Sequence, residues 1–119
     1  MSILLITHNL GIVAQYADRI AVMYSGKVVE TAQVEDLFET PTHPYTRGLL
    51  NSLPREDPCT QLETIPGSVP HPAYLPEGCA FHPRCKEKLE ECEKKIPLLE
   101  PLNNNFTHCT ACWLTHPVT

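Results

Sequence analysis

Five of the six cysteines of this chain lie between positions 79 and 112, just behind a stretch, residues 54–78, that holds six of its 12 prolines. Proline fixes φ and removes a backbone donor, so that stretch reads as an extended, solvated linker rather than packed core. The segment behind the linker must be held together partly by its sulfurs. In an oxidising compartment a short chain with an even number of cysteines points to disulfides; in a reducing one it points to metal or redox chemistry. The opening Met1-Ser2-Ile3-Leu4-Leu5-Ile6-Thr7-His8 has neither a basic stretch nor a cleavage site, so no signal peptide is expected and the cytosol is favoured. Metal or cluster binding is therefore the first expectation for the cysteines, ahead of disulfides and of unlinked thiols.

Composition narrows the remaining classes. With 42% hydrophobic and 19% charged residues, a 119-residue chain can bury a core. It has no run of roughly eighteen apolar residues, which a membrane-spanning helix requires. Nine basic against 14 acidic residues give a net charge of -5, which disfavours nucleic acid and anionic membrane as partners.

Along the chain, Ile3-Leu4-Leu5-Ile6 is a continuous apolar run and predicts a strand buried on both faces, the pattern of a parallel sheet. Asn9 is placed to cap a helix carrying Leu10, Val13, Ala14 and Ala17. Ile20 to Tyr24 and Lys27 to Glu30, joined by Ser25-Gly26, predict a β-hairpin. A short helix from Gln33 to Glu39 should stop at Thr40-Pro41. A second, opening at Pro44, carries Tyr45, Leu49 and Leu53 on one face. A doubly buried strand needs more neighbours than one helix and one hairpin supply, so Ile3 to Ile6 either joins a small mixed sheet or belongs to a larger fold.

Two groups of residues could carry chemistry. His8, at the end of the first strand and before a helix, sits where α/β folds bind ligands, and its imidazole could hydrogen-bond a phosphate; a capping or surface role is the alternative. The spacings Cys79-x5-Cys85-x6-Cys92 and Cys109-x2-Cys112 suit thiolate ligation of zinc or an iron–sulfur cluster. A tetrahedral zinc, with Zn–S near ~2.3 Å, needs its sulfurs within roughly 4 Å of one another. In a continuous helix Cys85 and Cys92 would lie about 10 Å apart along the axis. One zinc ion could bridge them only if that helix is interrupted or starts after Cys85. A zinc-style set would be Cys79, Cys85, Cys109 and Cys112. His82 and His108 are possible further ligands, but imidazoles beside cysteine loops more often cap backbone groups. The charges between Arg84 and Lys95, five positive and four negative, read as a solvated helix face. No G-x-x-x-x-G-K-[ST], H-E-x-x-H or G-x-S-x-G motif is present, so no complete catalytic constellation is expected.

Three blocks carry a resemblance. Leu5-Ile6-Thr7-His8-Asn9-Leu10-Gly11 and Ala17-Asp18-Arg19-Ile20-Ala21-Val22-Met23-Tyr24-Ser25-Gly26-Lys27-Val28-Val29-Glu30 resemble the end of an ABC-transporter ATP-binding domain. Pro41-Thr42-His43-Pro44-Tyr45-Thr46-Arg47-Gly48-Leu49-Leu50 is similar to the extension of oligopeptide and dipeptide importer ATPase subunits. Ile65-Pro66-Gly67-Ser68-Val69-Pro70, Gly78-Cys79-Ala80-Phe81-His82-Pro83-Arg84-Cys85 and Ala111-Cys112-Trp113 resemble the cysteine-rich end of the same subunits.

The resemblance implies an α/β fragment, the end of a P-loop nucleotide-binding domain over residues 1–40, followed by a loop-rich, cysteine-stapled extension over 41–119. That extension would comprise the linker 54–78 and a cysteine-rich metal or cluster region at 79–113. It makes His8 the switch histidine that contacts the γ-phosphate of ATP. It makes Cys79, Cys85, Cys92 and Cys112 the ligands of a [4Fe–4S] cluster, with zinc as the alternative, and leaves Cys59 and Cys109 outside the pattern. The implied partners are the remainder of the ATPase domain, a second ATP-binding subunit and membrane permeases, at the cytoplasmic face of the plasma membrane. The P-loop, signature motif and catalytic glutamate are not in the sequence, so the chain is expected to be a truncated portion without ATPase activity of its own. The competing expectation is an autonomous cytosolic zinc or iron–sulfur module with no part in transport.

Overall fold

A computed structural model of the chain describes residues 3–7, 9–52, 74–102 and 105–115, with the side chains of residues 105 and 106 excepted. Asn9 opens α1, Leu10–Tyr16, where its side-chain oxygen accepts from the N–H groups of Gly11 (3.0 Å) and Ile12 (3.3 Å). This is the expected cap. The hairpin follows as β1, Arg19–Tyr24, and β2, Lys27–Gln33. Ser25 and Gly26 join them with φ of +49° and +82°. Two positive φ values in a two-residue loop match the right-handed twist of the paired strands.

Helix α2, Val34–Glu39, ends before the Thr40-Pro41 step, and α3, Pro44–Asn51, begins on its proline. Two strands that the sequence pattern does not announce, β3 (Glu100–Leu102) and β4 (Asn105–Thr110), complete a four-stranded antiparallel sheet in the order β1-β2-β4-β3. The pairing of Glu30 with Thr110 and of Thr31 with Cys109 docks β4 directly on the hairpin. The chain is thus a small α/β fold. One face of the sheet is closed by Ile20, Val22, Ala32, Val34 and Leu37, with Tyr24 and Phe81 at one end. Ala21 and Met23 of β1 are exposed, as expected of an antiparallel sheet covered on one side.

Two expectations fail. Residues 3–6 form no strand, and Ile3 (80% exposed), Leu4 (88%) and Ile6 (88%) face solvent. An apolar strand becomes buried only by pairing, and no register of this sheet includes residues 3–6. The expected helix from Arg84 to Lys95 is also interrupted. Two 3₁₀ turns, His82–Arg84 and Glu90–Glu93, are separated by residues that leave helical space, with Cys85 at φ -86°, ψ 123° and Leu89 at φ -102°, ψ 167°. The Leu89 N–H turns onto the Cys92 sulfur at 3.3 Å instead of continuing a helical ladder. The charges there do form a solvated face, with Lys88–Glu93 and Lys94–Glu90 paired at 2.9 and 2.8 Å.

Candidate functional site

Glu30 sits in β2 where an apolar residue would fit the pattern, and it is fully buried. Its carboxylate is satisfied from two directions. The loop before α3 supplies the N–H groups of Thr42 (3.1 Å to Oε2) and His43 (2.9 Å to Oε1) and the Thr42 hydroxyl (3.0 Å). These groups lie at the positive end of α3, where a negative charge is stabilised. From β4, His108 brings Nε2 within 2.5 Å of Oε2. The Thr42 and Thr110 hydroxyls close the cluster with a short hydrogen bond. A buried carboxylate is tolerable only when its hydrogen-bonding capacity is filled, and four donor groups fill it here.

His43 caps α3, its Nδ1 accepting from the Tyr45 N–H at 3.0 Å, which assigns the ring proton to Nε2. Nε2 is buried and makes no well-formed hydrogen bond, although it interacts weakly with the Ala111 backbone. Burial, opposed by Glu30 and reinforced by Arg47, lowers the His43 pKa from 6.5 to about 4. A charged imidazolium would lose both its solvation and the cap.

The cysteine-bearing turns dock on the hairpin through aromatic rings. Phe81 stacks edge-on against Tyr24 (5.2 Å between centroids), beside Tyr45 (5.3 Å) and His43 (5.8 Å). Arg84 reaches the Tyr24 hydroxyl at 3.3 Å, and Arg47 pairs with Glu87 at 3.1 Å. Within the turns the Cys79 N–H donates to the Cys92 carbonyl at 2.8 Å. Gly78 makes this approach possible. Its φ is +73°, and a Cβ there would stand 2.3 Å from the Cys92 carbonyl oxygen.

Cys79, Cys85, Cys92, Cys109 and Cys112 all carry thiols, with no disulfide among the described residues. Burial raises the Cys112 pKa to about 11; the Leu114 backbone opposes it, and the charges of Cys79, Cys85 and Cys92 add to it. Burial likewise raises Cys79 and Cys85, with Cys92 again contributing to both. The four cysteines named from the resemblance thus share one electrostatic neighbourhood. Cys109 stands on β4 opposite Thr31 and Pro101. Among the described residues no group of three or more His, Cys, Asp or Glu side chains is arranged to hold a metal ion. The thiols are the right kind of donor for a metal site, but their arrangement among the described residues does not gather three of them for one ion. His82 and His108 are structural partners: His82 Nδ1 meets the Cys79 carbonyl at 2.8 Å and His108 meets Glu30.

His8 and Cys59 lie outside the described residues, as does most of the linker 54–78. The Glu30 cluster was missed by sequence reasoning. Its only local signal is a carboxylate after Val28-Val29 in a strand that otherwise buries apolar residues.

Comparison with known proteins adds to this geometry. Residues 29–92 match the family described as oligopeptide/dipeptide transporter, C-terminal region. A putative peptide import ATP-binding protein of Brucella ovis is 46% identical, with 94% of this chain and 35% of the relative covered. A protein of the same description from Brucella suis is 44% identical, with 92% and 33% covered. The chain therefore spans about a third of the length of these relatives.

Proposed function

The chain belongs to the family of oligopeptide/dipeptide transporter C-terminal regions, and from that premise we propose that it forms the C-terminal portion of the ATP-binding subunit of a peptide ABC importer. The observation that carries this is the 46% identity, over 94% of the chain, to a protein described as a putative peptide import ATP-binding protein. The family match extends from residue 29 in β2 to residue 92, past both following helices and into the cysteines, which favours one transporter region over an independent metal module. In this reading residues 1–40 end a nucleotide-binding domain and residues 41–119 are its extension. His8 is the switch histidine toward the γ-phosphate of ATP, with Mg²⁺ and the phosphate cradle supplied by the rest of the subunit. A second ATP-binding subunit and permeases are the partners, at the cytoplasmic face of the membrane. The described residues contain no helix long and apolar enough to cross a membrane.

The extension is read as stapled by Cys79, Cys85, Cys92 and Cys112, as a [4Fe–4S] site with zinc as the alternative. The support is the shared neighbourhood of the four thiols. Bound there, a cluster would supply covalent cross-links in a region with little apolar core. The raised thiol pKa values mean that ligation must release protons, so loading should weaken as pH falls.

The transport reading is tested by a chimera in which this chain replaces the corresponding third of a peptide-import ATP-binding protein. ATP-driven peptide uptake should persist and be abolished by His8→Ala; a chimera that assembles but transports equally well with His8→Ala sinks the assignment of His8. The isolated chain should show no ATP turnover. For the metal, anaerobically purified protein should absorb broadly near ~400 nm; a colourless protein with stoichiometric zinc selects the alternative, and one with neither removes the staple.

A further inference from the structure

Between the start of β2 and the irregular segment ahead of β3, the fold leaves an open groove of about 210 Å³. Its floor is made by Tyr24, Val29, Phe81 and Ala111, all buried. One wall is the segment before β3, where Ile96, Leu98 (70% exposed) and Leu99 turn apolar surface to water. The chain carries 14 acidic residues and a net charge of -5, yet no acidic residue lines the groove among the described residues. The charged residue in the lining is Lys27, which forms no ion pair among the described residues. Its charge reaches into the groove: burial raises the pKa of Cys79, another lining residue, and Lys27 opposes that rise.

We propose that this groove binds a medium-chain monocarboxylate, with its alkyl chain on the apolar floor and its carboxylate on the Lys27 ammonium. Size, polarity and charge each select that class. A cavity of roughly 150 Å³ takes a benzene ring, so this groove takes an apolar group of about eight carbons. The polar groups that the floor offers are already engaged. The Tyr24 hydroxyl accepts from Arg84 at 3.3 Å, the Val29 carbonyl from the Ala111 N–H at 2.8 Å, and the Cys79 N–H donates to Cys92 at 2.8 Å. A peptide laid there would bury amide groups without partners, whereas an alkyl chain has none to satisfy. One ammonium matches one negative charge, and the second charge of a phosphate head would stand against a chain of net charge -5. Attraction at an exposed lysine is modest, so the floor supplies the affinity and Lys27 decides which charge is accepted. The site goes beyond the transporter reading and needs neither nucleotide nor metal.

The test is an NMR titration of the methyl-labelled full chain with sodium decanoate, below its micellar concentration. At about pH 7.5 the ligand is ionised and Lys27 is protonated. Saturable shifts should appear at the Val28, Val29 and Leu98 methyls and leave those of Leu37, which is not in the lining, in place. Decylamine, with the same chain and the opposite charge, should bind at least about fivefold more weakly. Lys27→Glu should weaken decanoate by at least about fivefold and turn the preference toward decylamine, because it exchanges attraction for repulsion at one place. Lys27 is exposed, so the Leu37 signals of this variant should match those of the unaltered chain. Leu98→Ser should weaken both ligands by a similar factor, since it removes wall and not charge. The proposal is overturned if the shifts do not saturate or spread equally to Leu37, or if Lys27→Glu leaves the preference unchanged. Tighter binding of decyl phosphate or of N-acetyl-trileucine than of decanoate overturns it as well.

Discussion

The covered face of the sheet is closed in two ways. Across Ile20, Val22, Ala32, Val34 and Leu37 it is closed by apolar side chains, with Leu37 fully buried. A few ångströms further along the same face it is closed by Glu30, His43, Thr46, His108 and Thr110, all buried and all polar. The first region gains from area removed from water and tolerates small shifts of one surface over the other. The second gains little net energy, since desolvating a carboxylate offsets most of its attraction to His108. It does, however, reject every arrangement that leaves Glu30 short of partners. The apolar region makes the fold stable, and the polar region makes it one arrangement rather than several.

Breaking each region should therefore produce different failures. Glu30→Ala is expected to cost the most, about 3–5 kcal/mol, because it strands His108 and two N–H groups in the interior. Leu37→Ala should cost a comparable or smaller amount, about 2–5 kcal/mol. Urea unfolding measures both. The contrast lies in the m-value and in hydrogen exchange: Leu37→Ala should leave the β4 amides protected up to its lowered global stability, and Glu30→Ala should release β4 first. Equal release of all strands in both variants would erase the distinction.

The polar region should also give the fold an acid limit. With His43 at about 4 when folded against 6.5 when unfolded, the unfolded chain takes up a proton that the folded chain refuses. Stability from this residue is full above about 6.5 and is lost as pH falls toward 4, by up to about 3 kcal/mol. His43→Asn keeps an acceptor for the Tyr45 N–H and removes the titration. Unfolding midpoints measured at about pH 7.5 and about pH 4.5 should therefore differ less in this variant than in the unaltered chain. An identical pH slope would clear His43 of the effect.

Gly78→Ala is next in size, at about 1–3 kcal/mol, for its positive φ and the collision with the Cys92 carbonyl. Its damage should stay within the cysteine turns, seen as faster exchange of the Cys79 amide while the β1–β2 amides remain protected. Smallest is Glu87→Ala, which removes a half-exposed partner of Arg47 and should cost under about 1 kcal/mol, screened further by salt. A larger loss that persists in high salt would mean that the turns depend on this pair as well as on Phe81.

Much of the region before Asn51 was legible from its residues. Asn9, Ser25-Gly26, Thr40-Pro41 and Pro44 act through their own φ preferences or side-chain reach, so each marks its structure locally. The region after Gly78 was read less well. The charge pattern of 84–95 suggested a helix, but the Cys79–Cys92 and Leu89–Cys92 contacts bend the chain into separate turns. β4 escaped notice because its own residues, Asn105-Phe106-Thr107-His108-Cys109-Thr110, show no apolar alternation, its neighbour β3 is only three residues long, and its other partner, β2, is some 80 positions away. The apolar run at residues 3–6 was legible as strand-forming in character, but pairing requires a neighbour, and the four-stranded sheet does not include it.

Local chemistry alone accounts for the capped helices and for the hairpin and its turn. These depend on interactions over a few positions, where the character of each residue suffices. It took the closed tertiary fold to bury Glu30 and to make Thr42 and His108, 12 and 78 positions away, its partners. A buried charge can be read only once all its donors are known, and those donors converge only when the sheet has closed.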